Sequence, residues 1–141
     1  MRKTWVVVAD RSRARIFCVE TPKGPLVELV DLVHPEARAH ERDLTSDRPG
    51  RSSDHHVLSP PHSARDLQAY GFAREIAEKL ENGRVSAQFE QLLIVAAPDL
   101  LGLLRKTMNA NVAKTVVLEI DKNVTQHDAA DIRKLLPKFI Q

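Results

Sequence analysis

Two short, uninterrupted apolar runs, Trp5-Val-Val-Val-Ala9 and Leu92-Leu-Ile-Val-Ala-Ala97, constrain this chain more than any other feature. Each is bounded by turn residues and carries no polar interruption, which is the pattern of a buried strand. Both fall far short of the roughly 20 apolar residues that span a bilayer, so no membrane insertion is expected. Strands of this kind are stable only within a sheet that has helices packed against it, and the rest of the chain must supply those partners. The resulting core is aliphatic, because Phe, Trp and Tyr make up only 4% of the 141 residues.

Around the first run the chain reads as a meander. Asp10-Arg-Ser12 is a polar turn, Ala14–Val19 a second strand, and Thr21-Pro-Lys-Gly-Pro25 a second turn before a third strand over Leu26–Val33. Connections this short make antiparallel hairpins. After residue 63 the spacing becomes helical. Ser63-Ala-Arg-Asp66 fits a capping box. Behind it Ala69, Phe72, Ala73, Ile76, Ala77 and Leu80 form one apolar stripe, with Asn82-Gly83 as the expected stop. Pro98-Asp99, with Asp99 as cap, opens a helix carrying Leu100, Leu101, Leu103, Leu104 and Met108. Thr115–Ile120 is the last strand, and Thr125-x-x-Asp128 caps a final helix that Pro137 limits. Strands joined through helices run parallel, with right-handed crossovers. The expectation is a single α/β domain over 1–141. Its sheet is mixed and five-stranded, an N-terminal antiparallel three-stranded meander followed by α-β-α-β-α, with flanking helices.

From His34 to about Ser63 the sequence is polar and holds Pro49, Pro60 and Pro61. Structureless loops beyond about 12–15 residues are uncommon in compact domains and are usually functional or disordered. The plain reading is a disordered surface excursion; the functional one is a recognition loop that orders on its partner. His34, His40, His55, His56 and His62 lie in or beside it, among Asp43, Asp47 and Asp54. Imidazole and carboxylate together can ligate a divalent metal. No helical His-Glu-x-x-His pair is present, however, and a solvated, pH-sensitive loop is the simpler account.

Asp10, Asp99 and Asp121 each lie just beyond a strand. If the first strand runs parallel to the last two, these carboxylates meet where open α/β sheets bind ligands. They could then hold Mg²⁺ for nuclease or phosphoryl-transfer chemistry. The competing reading is structural, with Asp99 as a helix cap and Asp10 in a hairpin turn. There is no Gly-x-Ser-x-Gly elbow, and the five glycines form no phosphate loop. The single cysteine, Cys18, excludes an internal disulfide framework and reads as a small core residue. Net charge is a mild +2, but the basic residues are clustered. Arg11, Arg13 and Arg15 sit at the first hairpin, Arg48 and Arg51 flank Pro49-Gly50, and Lys106 and Lys114 bound the segment before the last strand. Guanidinium groups pair bidentately with phosphate. Asp47 and Asp54 could neutralise the loop arginines, and no interleaved aromatic offers a base a stacking surface.

Trp5-Val-Val-Val-Ala-Asp-Arg-Ser-Arg-Ala-Arg-Ile-Phe17, Leu32-Val-His-Pro-Glu36 and His40-Glu-Arg-Asp-Leu-Thr-Ser-Asp-Arg-Pro-Gly-Arg-Ser52 resemble the bacterial host-attachment protein family. The resemblance continues through Phe72-Ala-Arg-Glu75, Leu93-Ile-Val-Ala-Ala-Pro98, Leu101-Gly-Leu-Leu-Arg105 and Glu119-Ile-Asp-Lys122, nearly the whole chain. It implies a fold similar to the middle domain of the archaeal and eukaryotic peptide-chain release factor, a mixed sheet whose long loop leads into its first long helix. In the release factor that loop carries a Gly-Gly-Gln tip that positions water at the peptidyl-transferase centre. Here there is no Gly-Gly-Gln. The nearest feature is Arg48-Pro-Gly-Arg51, so peptidyl-tRNA hydrolysis is not expected.

The resemblance therefore implies a non-enzymatic, cytoplasmic binding domain without a cofactor. His40, Glu41, Asp47, Arg48, Pro49, Gly50, Arg51 and Ser52 would contact the ribosome, rRNA or tRNA, with Arg11, Arg13 and Arg15 as supporting cations. Two alternatives stay open. One is an Mg²⁺-dependent enzyme built on Asp10, Asp99 and Asp121. The other is a surface attachment factor, although no export signal or adhesin-like repeat is visible.

Overall fold

The structure, a computed structural model, describes residues 1–34 and 64–141. Three strands, β1 (Thr4–Ala9), β2 (Arg13–Val19) and β3 (Val27–Val33), precede α1 (Ala64–Val85). Then come β4 (Gln91–Ala96), α2 (Pro98–Thr107), α3 (Ala110–Ala113), β5 (Val116–Asp121) and α4 (Ala129–Leu135). The strands form one sheet in the order β3-β2-β1-β4-β5. β2 is antiparallel to β1 and β3, whereas β1–β4 and β4–β5 are parallel. This is the expected mixed sheet, meander first and crossovers after. The one addition is α3, a single turn capped by Asn109, whose Oδ1 accepts from the Val112 amide at 2.8 Å. Four residues are too few for helical periodicity to register.

Every residue of β1 and β4 is buried, because both faces of the sheet are covered. The strand period of two divides the aliphatic runs between two cores. Trp5, Val7, Ala9, Leu92, Ile94 and Ala96 face α1, α2 and α3, while Val6, Val8, Leu93 and Val95 face α4 and the C-terminal residues. Each fully buried Val, Leu or Ile is worth about 1.5–3 kcal/mol, so these two strands anchor the domain.

α1 runs past its expected stop at Asn82-Gly83. Gly83 lies inside the helix because the indole of Trp5 presses on it: a Cβ there would meet Trp5 Cη2 at 2.5 Å. Trp5 in turn stacks on Phe89 with ring centroids 4.8 Å apart. The helix closes four residues beyond Gly83, at Ala87, which has φ 58°. The Ala87 amide donates to the Arg84 carbonyl at 3.0 Å and the Gln88 amide to the Gly83 carbonyl at 2.8 Å. That pair is a Schellman ending, with alanine at the left-handed position where glycine is usual.

Two further end assignments differ from the sequence reading. α4 is capped by Asp128, whose Oδ1 accepts from the Asp131 amide at 2.8 Å. Thr125 is instead fully buried. α2 has Ala97 at its N-cap with no side-chain cap, and Pro98 opens the helix, a position where the missing N–H costs nothing. Ser63, the expected cap of α1, lies outside the described residues.

Both border strands carry a register slip. Ile16 and Phe17 of β2 face Val30 and Glu28, leaving Leu29 unpaired. Leu92 and Leu93 of β4 face Val116 and Leu118, leaving Val117 unpaired. These bulge residues are exposed, Leu29 at 47% and Val117 at 54%. A bulge interrupts the row of backbone donors and acceptors that another strand would pair with.

Candidate functional site

Parallel pairing of β1, β4 and β5 brings their carboxyl ends to one edge, with Ala9 beside Ala96 and Ala96 beside Asp121. From β1 the chain turns back to β2 on one side, and after β4 it crosses to β5 on the other. The two connections diverge at the β1–β4 boundary, the kind of place where α/β sheets form a ligand crevice. A cleft of about 490 Å³ lies there. The β1–β2 turn lines it with Asp10, Arg11 and Ser12, the first turns of α1 with Arg65, Asp66 and Gln68, and the start of α2 with Asp99.

A network of charge-assisted bonds ties these elements together. Asp10 Oδ1 accepts from the amides of Ser12 (2.8 Å) and Arg13 (2.9 Å), which folds the turn. Its Oδ2 accepts from Thr125 Oγ1 at 2.7 Å, fixing the segment between β5 and α4. Arg11 bridges the two helices: Nε donates to Asp99 at 2.5 Å and Nη2 to Asp66 at 3.3 Å. Burial works against the Arg11 charge, but the bonds to Asp99 and Asp66 outweigh it and hold the guanidinium above its ordinary pKa. Asp99 Oδ1 meanwhile accepts from the Leu100 amide at 2.8 Å.

The arginines expected to support a phosphate contact are therefore engaged with acids of the domain itself. Arg13 makes a bidentate pair with Asp31, at 3.0 and 2.9 Å. Arg15, buried over the Phe17 ring, pairs with both oxygens of Glu28 at 3.0 and 2.9 Å. Its Nη1 donates to the carbonyls of Thr125 and His127. Asp10, Asp99 and Asp121 do share the carboxyl edge, as parallel pairing requires, but they do not converge. Among the described residues, no group of three or more His, Cys, Asp or Glu side chains could hold a metal ion. Asp121 is exposed, and the oxygens of Asp10 and Asp99 are committed to the turn and to Arg11. Cys18 is half-buried against the first core, and burial raises its thiol pKa. Lys106 and Lys114 are both exposed.

His40, Glu41, Asp47, Arg48, Pro49, Gly50, Arg51 and Ser52 lie outside the described residues, as do His55, His56 and His62. The two flanks of that stretch are described, and both stand at the cleft. The His34 amide donates to the Ser12 carbonyl at 2.7 Å, and its ring stacks on Phe72 at 4.9 Å. On the other flank Ala64 immediately precedes Arg65, which lines the cleft. His34 Nδ1 and Gln68 Oε1 are shielded from solvent and, among the described residues, have no hydrogen-bond partner. The sequence reading missed Arg65, Asp66 and Gln68 as cleft residues. They looked like ordinary first-turn residues of a helix whose direction relative to β1 only the fold supplies.

The family described as "Protein required for attachment to host cells" matches residues 5–136. An uncharacterised protein of Rickettsia prowazekii (strain Madrid E), RP470, is 27% identical over 117 residues, covering 81% of this chain and 76% of that protein. The crystal structure of the archaeal translation termination factor aRF1 superposes with a TM-score of 0.53 at 9% identity. The superposition covers 96% of this chain but only 35% of the factor, so the likeness is one of fold.

Proposed function

Because this chain belongs to the family of proteins required for attachment to host cells, we propose that it is a non-enzymatic binding domain of that family. Its carboxyl edge and residues 35–63 engage structured RNA, with the ribosome the first source to test. One observation carries this reading: both flanks of the 35–63 stretch join residues that line the carboxyl-edge cleft, His34 through its hydrogen bond to Ser12 and Ala64 through its neighbour Arg65. Arg48 and Arg51 then belong to a segment tethered at both ends to the edge where α/β sheets meet ligands. Their guanidinium groups are suited to phosphate oxygens. The neighbour of similar fold is a translation termination factor, which supports ribosomal RNA as the partner class.

Co-sedimentation with ribosomes across a salt series tests the reading. Wild-type protein should pellet with ribosomes at low salt, and Arg48→Ala/Arg51→Ala should lose most of that binding while keeping its fold. Each lost phosphate contact should flatten the salt dependence by roughly 0.7–0.9 in log–log slope. A wild-type protein that stays in the supernatant even at low salt sinks the idea. The family description also favours a second reading, direct action at the surface during attachment. Fractionation of producing cells tests it, and recovery from the cytosol alone would count against it.

A further inference from the structure

Arg11, Arg13 and Arg15 at the carboxyl edge are paired with acids, but a second cationic cluster lies at the opposite edge of the sheet. β2 ends where β1 begins, with Val19 beside Thr4, and the turn that follows meets the end of α4. A cleft of about 400 Å³ there is lined by Lys23, Arg133, Lys134, Leu136 and Lys138. Arg133 is held entirely by backbone carbonyls: Nε by Gly24 (2.8 Å), Nη1 by Pro137 (2.7 Å), and Nη2 by Pro22 (3.2 Å) and Lys138 (3.1 Å). Carbonyl dipoles satisfy its donors without cancelling its charge. Among the described residues the one nearby ion pair, Lys134 with Asp131, is exposed and long at 3.7 Å, so it neutralises little. Among the described residues, neither Lys23 nor Lys138 forms a salt bridge. The backbone under the cluster is fixed from both sides, by Arg133 on the Lys138 carbonyl and by the Ile140 amide on the Pro22 carbonyl at 2.9 Å. Phe139, which follows Lys138 in sequence, is 54% exposed and lines the neighbouring pocket with Val117 and Pro137.

From this arrangement we infer that the amino-edge cleft is a second, independent binding surface for single-stranded RNA. Lys23, Lys134 and Lys138 would contact its phosphates, and Phe139 would give a base a stacking face. The choice of ligand follows from the donors. The Arg133 fork, which would recognise a planar carboxylate bidentately, is already occupied. What remains are ammonium point charges, which suit phosphate oxygens repeated along a backbone. An anionic membrane is a poorer fit. The large apolar side chains exposed beside the cleft, Phe139 and Val117, line a separate pocket, whereas interfacial anchors rely on a broad apolar face.

Fluorescence anisotropy of the full chain with a labelled single-stranded RNA of mixed sequence, over a salt series, tests this. Lys23→Gln/Lys138→Gln should weaken binding several-fold and reduce the log–log salt slope by about 1.4, two contacts at roughly 0.7 each. Phe139→Ala should weaken it about tenfold, as loss of one stacked base does. Circular dichroism of both variants should match wild type, since all three side chains are exposed. Unchanged affinity and slope in the lysine variant overturn the inference. So does a loss confined to Arg48→Ala/Arg51→Ala, which would move the RNA to the other edge. A loss confined to the lysine variant supports this surface and counts against the carboxyl-edge reading instead. Flotation with phosphatidylglycerol-containing vesicles is the remaining arm. Binding that the lysine variant abolishes there, without RNA binding, also overturns the inference.

Discussion

Ala87 and Gly83 show how single side chains set the end of α1. Ala87 holds the left-handed conformation (φ 58°), which costs a residue bearing a Cβ roughly 1–2 kcal/mol. Its carbonyl is held by Lys3 Nζ at 3.1 Å, an interaction that glycine would keep. Ala87→Gly should therefore raise unfolding stability by about 0.5–1 kcal/mol, after allowing for the extra freedom glycine gives the unfolded chain. Urea denaturation measures it, and an unchanged or lower midpoint would contradict it. Gly83 is the converse case. Any Cβ there drives into the Trp5 indole, which is itself buried and stacked on Phe89. Gly83→Val should cost about 1–3 kcal/mol through overpacking, even though valine is the better helix former. A thermal melt that matches wild type would show that Trp5 can yield.

Glu28 and Asp31 of β3 are three residues apart, and in a regular strand they would point to opposite faces. The slip at Leu29 turns both toward the face of Arg15 and Arg13, which they pair with. This is why the arginine cluster could not be recognised as neutralised from sequence. Strand existence follows from apolar pattern, but the partners of Arg13 and Arg15 depend on a one-residue register detail. For the same reason Asp99 looked like a cap and Thr125 like the start of a capping box. Their real partners, Arg11 and Asp10, lie 88 and 115 residues away in sequence. The pairing has a consequence for pH. Hydrogen bonds from Arg13 hold the Asp31 carboxyl below the ordinary carboxylate range, against the opposing effect of burial. A carboxylate depressed in the folded state contributes stability above its unfolded pKa of about 4 and loses it as pH falls through the folded value. Asp31→Asn should thus be less stable than wild type at neutral pH, with the gap narrowing at acid pH. Denaturant midpoints at the two pH values give the comparison; a constant gap would assign Asp31 a role other than its charge.

At the scale of the molecule, the aliphatic runs and the helical spacing were enough to predict the mixed sheet, because burial on two faces leaves few other arrangements. The candidate site was less legible, since it is assembled from the β1–β2 turn and the starts of α1 and α2, segments whose meeting only the crossovers determine. The mild net charge of +2 likewise concealed two unlike ends. One is cross-linked by its own acids, and the other carries Lys23, Arg133, Lys134 and Lys138 around one cleft. The slips at Leu29 and Val117 matter here too. A sheet can grow indefinitely only by copying hydrogen-bond register from one chain to the next, and each border of this sheet carries a misprint at its centre. The fold is in that sense a terminated unit. Each slip breaks the row of backbone donors and acceptors that a second copy, or a peptide that binds by extending a β-sheet, would have to continue.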